Sequence, residues 1–190
     1  PKSVSVAWSQ ASPQDARAIQ EAQWKAAKAG LRLIEQHAAV TRRGKGGAKR
    51  EKVKLIAAAF EHGTSRAQDP QLHTHCLVQN LAVREDGTTG TIESQAIYKF
   101  QMAAGALYRA ELSYQLELSR GLFSEHSGKA FEIIGVPEKL IAEFSKRREA
   151  IEKELERMGL NSAKAADIAA LNSRAAKEAV SRKELFSRWQ

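Results

Sequence analysis

The stretch FEHGTSRAQDPQLHTHCLVQN, residues 60–80, places three histidines within a short span. His73 and His75 are one residue apart in a mostly apolar run. A strand points residues i and i+2 to the same face. Both imidazoles therefore stand together, while Leu72, Cys76 and Val78 face the other way. His62 closes a preceding strand, and the residues between His62 and His73 form a loop that returns the chain. Three imidazoles can then converge on one point. Neutral imidazole is a common ligand for divalent transition metals, and three protein ligands leave a position open for water or substrate. A plainer reading stands beside this one, because a strand histidine often only packs or hydrogen-bonds. Spacing alone leaves both open. His37, on a helix, and His126, in a turn, have no partner at ligand spacing and are expected at the surface.

Outward from this stretch, the pattern mixes strands and helices. VKLIAAAFEH (53–62) and QLHTHCLVQNLAV (71–83) read as two strands, and Asp86-Gly87 marks a turn. SVSVAW (3–8) alternates serine with apolar residues and reads as a further strand. Residues 12–40 read as a long helix with Ser12 as cap, Pro13 in the first turn and Asp15 at the positive end of the dipole. Gly30 weakens its middle. A second helix is expected over 94–119, ended by Gly121. LFSE and AFEIIG flank a turn at 126–129 and suggest a hairpin. One helix is expected from Pro137 to Met158, stopped by Gly159, and another over 161–180. Strands and helices do not alternate strictly, so the expected class is α+β.

The chain has 190 residues and a net charge of +8. That length suits one domain, and the excess of positive charge favours an acidic partner, most simply nucleic acid. The charge is concentrated in TRRGKGGAKREKVK (41–54), where seven of fourteen residues are Lys or Arg and three are Gly. With little to bury, residues 41–52 are expected to form a mobile basic loop. Arg42, Arg43 and Lys45 are its candidate phosphate contacts. Lys2, Arg66, Arg174 and Lys177 are further candidates for DNA contact. Phosphate contacts position a nucleic acid without reading its sequence, and each of these side chains can equally face water. Arg66 and Asp69 can also form a pair that steadies the loop. The single cysteine, Cys76, excludes an internal disulfide and fits a reducing compartment. No apolar run approaches the length of a membrane span, and no secretory signal pattern is present. The chain starts at Pro1 and reads straight into a structured segment, as a piece of something longer does.

The sequence resembles the relaxase domains of conjugative transfer proteins of the TrwC and TraI type, most closely their TraA-like branch. The residues that carry this are PKSVSV (1–6), the 60–80 stretch, DGTTGTIESQAIYKFQMAAGALYRAELSYQLE (86–117) and the tail NSRAAKEAVSRKELFSRW (172–189). The resemblance implies a twisted antiparallel sheet flanked by helices, in the class of endonucleases with a histidine-hydrophobic-histidine motif, with a helical C-terminal part. It implies His62, His73 and His75 as ligands of a divalent metal (Mg, Mn or a Zn-like ion), with Thr74 between the last two. It implies a bacterial cytoplasmic enzyme that nicks and rejoins one strand of single-stranded DNA at a plasmid transfer origin, through a 5′-phosphotyrosine. A helicase domain is expected in the full-length parent. The family's nucleophilic tyrosines, and an acidic residue that assists them, are expected upstream of Pro1. Tyr98, Tyr108 and Tyr114 do not match the nucleophile's position. On this reading residues 1–190 are a single relaxase domain lacking its nucleophile segment. The alternative is a non-catalytic, basic DNA-binding module with a structural metal.

Overall fold

Alternating serine and valine at the start of the chain do not make a strand. In the computed structural model, which describes residues 1–128, 130–173 and 180–190, they form helix α1, Lys2–Gln10. Ser3, Val4, Ser5, Val6, Trp8 and Ser9 are all buried, so the helix is enclosed on nearly every side. Period cannot distinguish strand from helix when no face is left polar. The serines are tolerated because their hydroxyls serve neighbouring backbones. Ser5 Oγ accepts from Leu72 N at 3.0 Å, and Ser3 Oγ accepts from Ile133 N at 2.8 Å.

The element order is α1, then α2 (Pro13–Ala38), β1 (Val40–Arg43), β2 (Lys49–Lys52), β3 (Ala57–Thr64), β4 (Pro70–Val78), β5 (Ala82–Val83) and β6 (Thr89–Gly90). Helix α3 (Ser94–Arg120), β7 (Ser124–Ser127), β8 (Ala130–Ile133), α4 (Glu138–Glu143), α5 (Lys146–Met158), α6 (Ala163–Asn172) and α7 (Arg182–Trp189) follow. This is the α+β class. The described strands pair two by two: β1 with β2, β3 with β4, β5 with β6, and β7 with β8. The chain divides into two compact units, one of residues 1–17, 62–72 and 124–190, the other of 18–61 and 73–123.

In the first unit, α1 packs against β8, α4 and α7. The Trp8 ring meets Phe186 edge-on at 5.0 Å and Trp189 at 5.9 Å. Gly63 passes so close to Trp8 that an added Cβ would lie 2.5 Å from the ring. The single helix expected over 137–158 is two, α4 and α5, broken at Phe144–Ser145. Phe144 turns inward there and is buried. The break frees the first amides of α5, and the backbone N–H groups of Lys146 and Arg147 donate to the Asp69 carboxylate. His126 is not in a turn: it lies in β7, opposite Phe131. Gly159 ends α5 in the left-handed conformation.

Helix α2 begins in the first unit, as its sequence signals, and runs on into the second. Ser12 Oγ accepts from Asp15 N and donates to the Asp15 carboxylate at 2.8 Å. Gly30 has a packing reason: a Cβ there would lie 3.4 Å from the Ala104 carbonyl of α3. The basic segment 41–52, expected as a loop, is folded as the β1–β2 hairpin. Val40 pairs with Lys52 and Arg43 with Lys49, around a short 3-10 turn at Lys45–Gly47. Tertiary contacts hold this hairpin. Bridges at Thr41–Ile92 and Lys54–Val83 stitch the hairpin to its neighbours, and Ala39, Val53, Ala82 and Ile92 form a small core under it. Gly121 ends α3 as expected.

Candidate metal centre

Strand β4 shows its two-fold alternation in its burial. Pro70 and Leu72 are buried, while Gln71, His75 and Leu77 are exposed and His73 half-buried. His73, His75 and Leu77 therefore share the open face, and Leu72, Thr74, Cys76 and Val78 the covered one. His62 stands near the end of β3. One ring nitrogen from each of His62, His73 and His75 lies within 4.8 Å of the others, the arrangement expected from the sequence. The Nε2 atoms of His73 and His75 are 3.1 Å apart, with the rings at 75° to each other. Two nitrogens each bound about 2.0–2.1 Å from one ion are separated by about 3.0–3.4 Å. The pair is thus already spaced as two ligands of a single cation, and the donor set suits one.

Helix α2 braces these strands from their covered side. Gln23, 2% exposed, donates its amide N–H to Thr74 Oγ1 at 3.0 Å. Gln20, one turn earlier, donates to the Glu61 carboxylate, next to His62 in β3. The helix grips residues adjacent to the histidines and leaves the histidines on the opposite face. Burial pushes the Tyr108 phenol above its ordinary range, and Gln23 pulls it partly back. Nothing in the local pattern marks Gln20 or Gln23 as partners of these strands. The one sequence signal is a glutamine at 23 inside the apolar stripe of Ile19, Ala22 and Ala26.

The turn that joins β3 to β4 is fixed within the first unit. Gln68 adopts a positive φ of 63°. Its carbonyl accepts from the Trp189 indole at 2.9 Å and its side chain accepts from Arg188 at 2.8 Å. Asp69, 2% exposed, donates its backbone N–H to Ser65 Oγ at 3.1 Å, and its backbone carbonyl accepts from Ser65 N at 2.9 Å. Its carboxylate lies 3.8 Å from Lys146 Nζ. Burial raises the Asp69 carboxyl above its usual range, while Lys2, Lys146 and the α5 amides oppose that.

The candidate DNA contacts divide. Lys2 is half-buried and donates to the Pro70 carbonyl at 2.7 Å, which makes it part of the scaffold in this structure. Arg42 and Arg50 both reach Glu93, at 2.9 and 2.7 Å. They hold that carboxyl at about 2. Arg43 reaches Asp86 at 2.6 Å. Lys45 is exposed in the hairpin turn. Arg66 is half-buried in the β3–β4 turn, while Asp69 is engaged with the α5 end. Arg174 and Lys177 lie outside the described residues.

Solved structures share this architecture. The metal-free complex of conjugative relaxase TrwC with OriT DNA superposes with a TM-score of 0.91 at 32% identity, covering all of this chain and 68% of that one. The copper-bound TrwC complex with OriT DNA gives 0.90 at 32% identity, covering all of this chain and 66% of that one. The chain therefore has the fold of a conjugative relaxase. The multifunctional conjugation protein TraI of Escherichia coli K12 is 38% identical over 148 residues, which is 71% of this chain and 8% of TraI. The family model for TrwC relaxase matches residues 1–190, and the chain belongs to that family. It spans only a small part of the length of the TraI relatives. Among the described residues, no helix is long and apolar enough to cross a membrane.

Proposed function

We propose that the chain is the metal-binding part of a DNA-nicking and rejoining domain that acts on one strand at a plasmid transfer origin. The observation that carries this is the convergence of His62, His73 and His75, with ring nitrogens within 4.8 Å of one another. When bound there, a divalent ion supplies positive charge to the non-bridging oxygens of a scissile phosphate, where charge builds during displacement. The three imidazoles would hold such an ion without neutralising it, and Gln23 and Gln20 brace the strands that carry them. Ligand type favours Mn, Co, Ni, Cu or Zn over Mg, which prefers oxygen. The exposure of His62 and His75 favours a catalytic over a structural role, since structural sites are closed by four ligands.

In the reaction implied by family membership, a tyrosine hydroxyl attacks the phosphate, forms a 5′-phosphotyrosine and releases a 3′-hydroxyl. That tyrosine is expected upstream of Pro1, and none of Tyr98, Tyr108 and Tyr114 is assigned the role. Around the centre, the exposed Lys45 and the engaged Arg42 and Arg43 of the β1–β2 hairpin offer phosphate contacts, as does Arg66. The parent is proposed to be a longer cytoplasmic protein carrying a helicase domain.

The test uses the full-length protein and a labelled single-stranded oligonucleotide spanning its transfer origin. The native protein is expected to form a covalent adduct that survives denaturing electrophoresis. The H62A/H73A/H75A variant is expected to form none. Adduct formation by that variant at the native rate would overturn the proposal.

A further inference from the structure

The open face of β3 and β4 carries more than histidines. Phe60 is 51% exposed and Leu77 59% exposed, although both lie inside strands. Leu77 is two residues beyond His75, and Phe60 two residues before His62, so each extends the histidine face by one strand step. Gln79 N donates to Ile56 O at 2.8 Å. Counting back along the ladder from that bond places Phe60 across from His75. The covered face of the same strand holds its apolar residues as expected, with Leu72 at 8%. Phe60 and Leu77 thus adjoin each other and the histidines on one open face, and adjoining apolar side chains rimmed by polar groups are what a binding surface presents.

We propose that Phe60 and Leu77 form a stacking shelf for a nucleobase of single-stranded DNA, next to the phosphate held at the histidines. This rests on the nicking function proposed above and adds two residues that position the strand. Continuity with the histidine face fixes the occupant. A strand whose phosphate lies at His75 must place a flanking base over the adjoining side chains, and the chain's net charge of +8 favours a polyanion there. An aromatic ring accepts any base, because every base has a π-face. The shelf would therefore hold a base without reading it.

The test measures binding of fluorescein-labelled dT12 to the chain by anisotropy, in excess chelator, so that the readout does not depend on metal or turnover. Replacing Phe60→Ala should weaken binding roughly tenfold, with Phe60→Trp close to native. The dependence on salt should keep its slope, since no phosphate contact is removed. In parallel, dT12 with one central 5-iodouracil should photocross-link to the peptide containing Phe60. Native-like binding by Phe60→Ala together with cross-links elsewhere would overturn the shelf and leave the nicking reading intact. A change from dimer to monomer in Phe60→Ala by sedimentation, with dT12 binding unaltered, would overturn it in favour of a second copy. If the native chain binds dT12 no better than duplex of equal length, both the shelf and the function on which it rests fail.

Discussion

The amide of Gln23 donates to the hydroxyl of Thr74 at 3.0 Å, and Thr74 is the residue between His73 and His75. One buried side chain on α2 thus sets the position of the strand segment that presents two candidate ligands. Because strand side chains alternate, a grip on Thr74 from the covered side fixes both histidines on the open side.

Replacing Gln23→Ala should therefore separate stability from metal affinity. Loss of the bond leaves the Thr74 hydroxyl unsatisfied, at a cost of about 1–2 kcal/mol in urea unfolding. Affinity for Mn or Ni should fall by on the order of tenfold. Unchanged metal affinity in a folded Gln23→Ala protein would show that α2 does not position the histidines.

Gly63 should tolerate no side chain while Trp8 is present. Its backbone is not in the left-handed region, so the obstacle is the Trp8 ring, 2.5 Å from a Cβ at that position. Gly63→Ala is expected to lose about 1–3 kcal/mol through overpacking, read as a lower urea midpoint with an unchanged slope. A midpoint equal to native would contradict the packing described for α1.

Asp69 should behave unlike most carboxylates. Burial raises its folded pKa above its unfolded value near 3.8. The native state then binds the proton more tightly, so this group's ionised form weakens the fold at neutral pH, and the penalty fades as pH falls through the folded value towards 3.8. Asp69→Asn, which keeps an acceptor for the α5 amides, should stay within about 1 kcal/mol of native at pH 7. Asp69→Ala should cost about 1–2 kcal/mol. Equal melting temperatures for the two variants would remove Asp69 as the cap of α5.

Glu93 should show the opposite sign. Arg42 and Arg50 hold it at about 2, below its ordinary 4.5. Its contribution is full above 4.5 and is lost as pH falls from 4.5 towards 2. Unfolding curves over that window should be flatter for Glu93→Gln than for the native chain. Parallel curves would mean that the hairpin is not held by this carboxylate.

Much of the candidate site was legible because it rests on strand alternation and local spacing. The histidine face of β4, the two long helices and the glycines that end α3 and α5 all follow from neighbours in sequence. What the sequence hid is tertiary. The serines of α1 look like one side of a strand until Leu72 and Ile133 supply backbone amides for them. The 41–52 segment looks solvated until Glu93 and Asp86, more than thirty residues on, meet its arginines. Gln23 looks like a polar fault in an apolar stripe until Thr74 reaches it. Each depends on partners distant in the chain, which periodicity does not encode.

Under the proposed function, His62, His73 and His75 together hold one divalent ion. Isothermal titration of the purified chain with Mn or Ni measures this directly, against the H62A/H73A/H75A variant. One ion per native chain, and none at comparable affinity in a folded triple variant, is the predicted result. Equal stoichiometry and affinity in the two proteins, or no binding by the native chain, would contradict it.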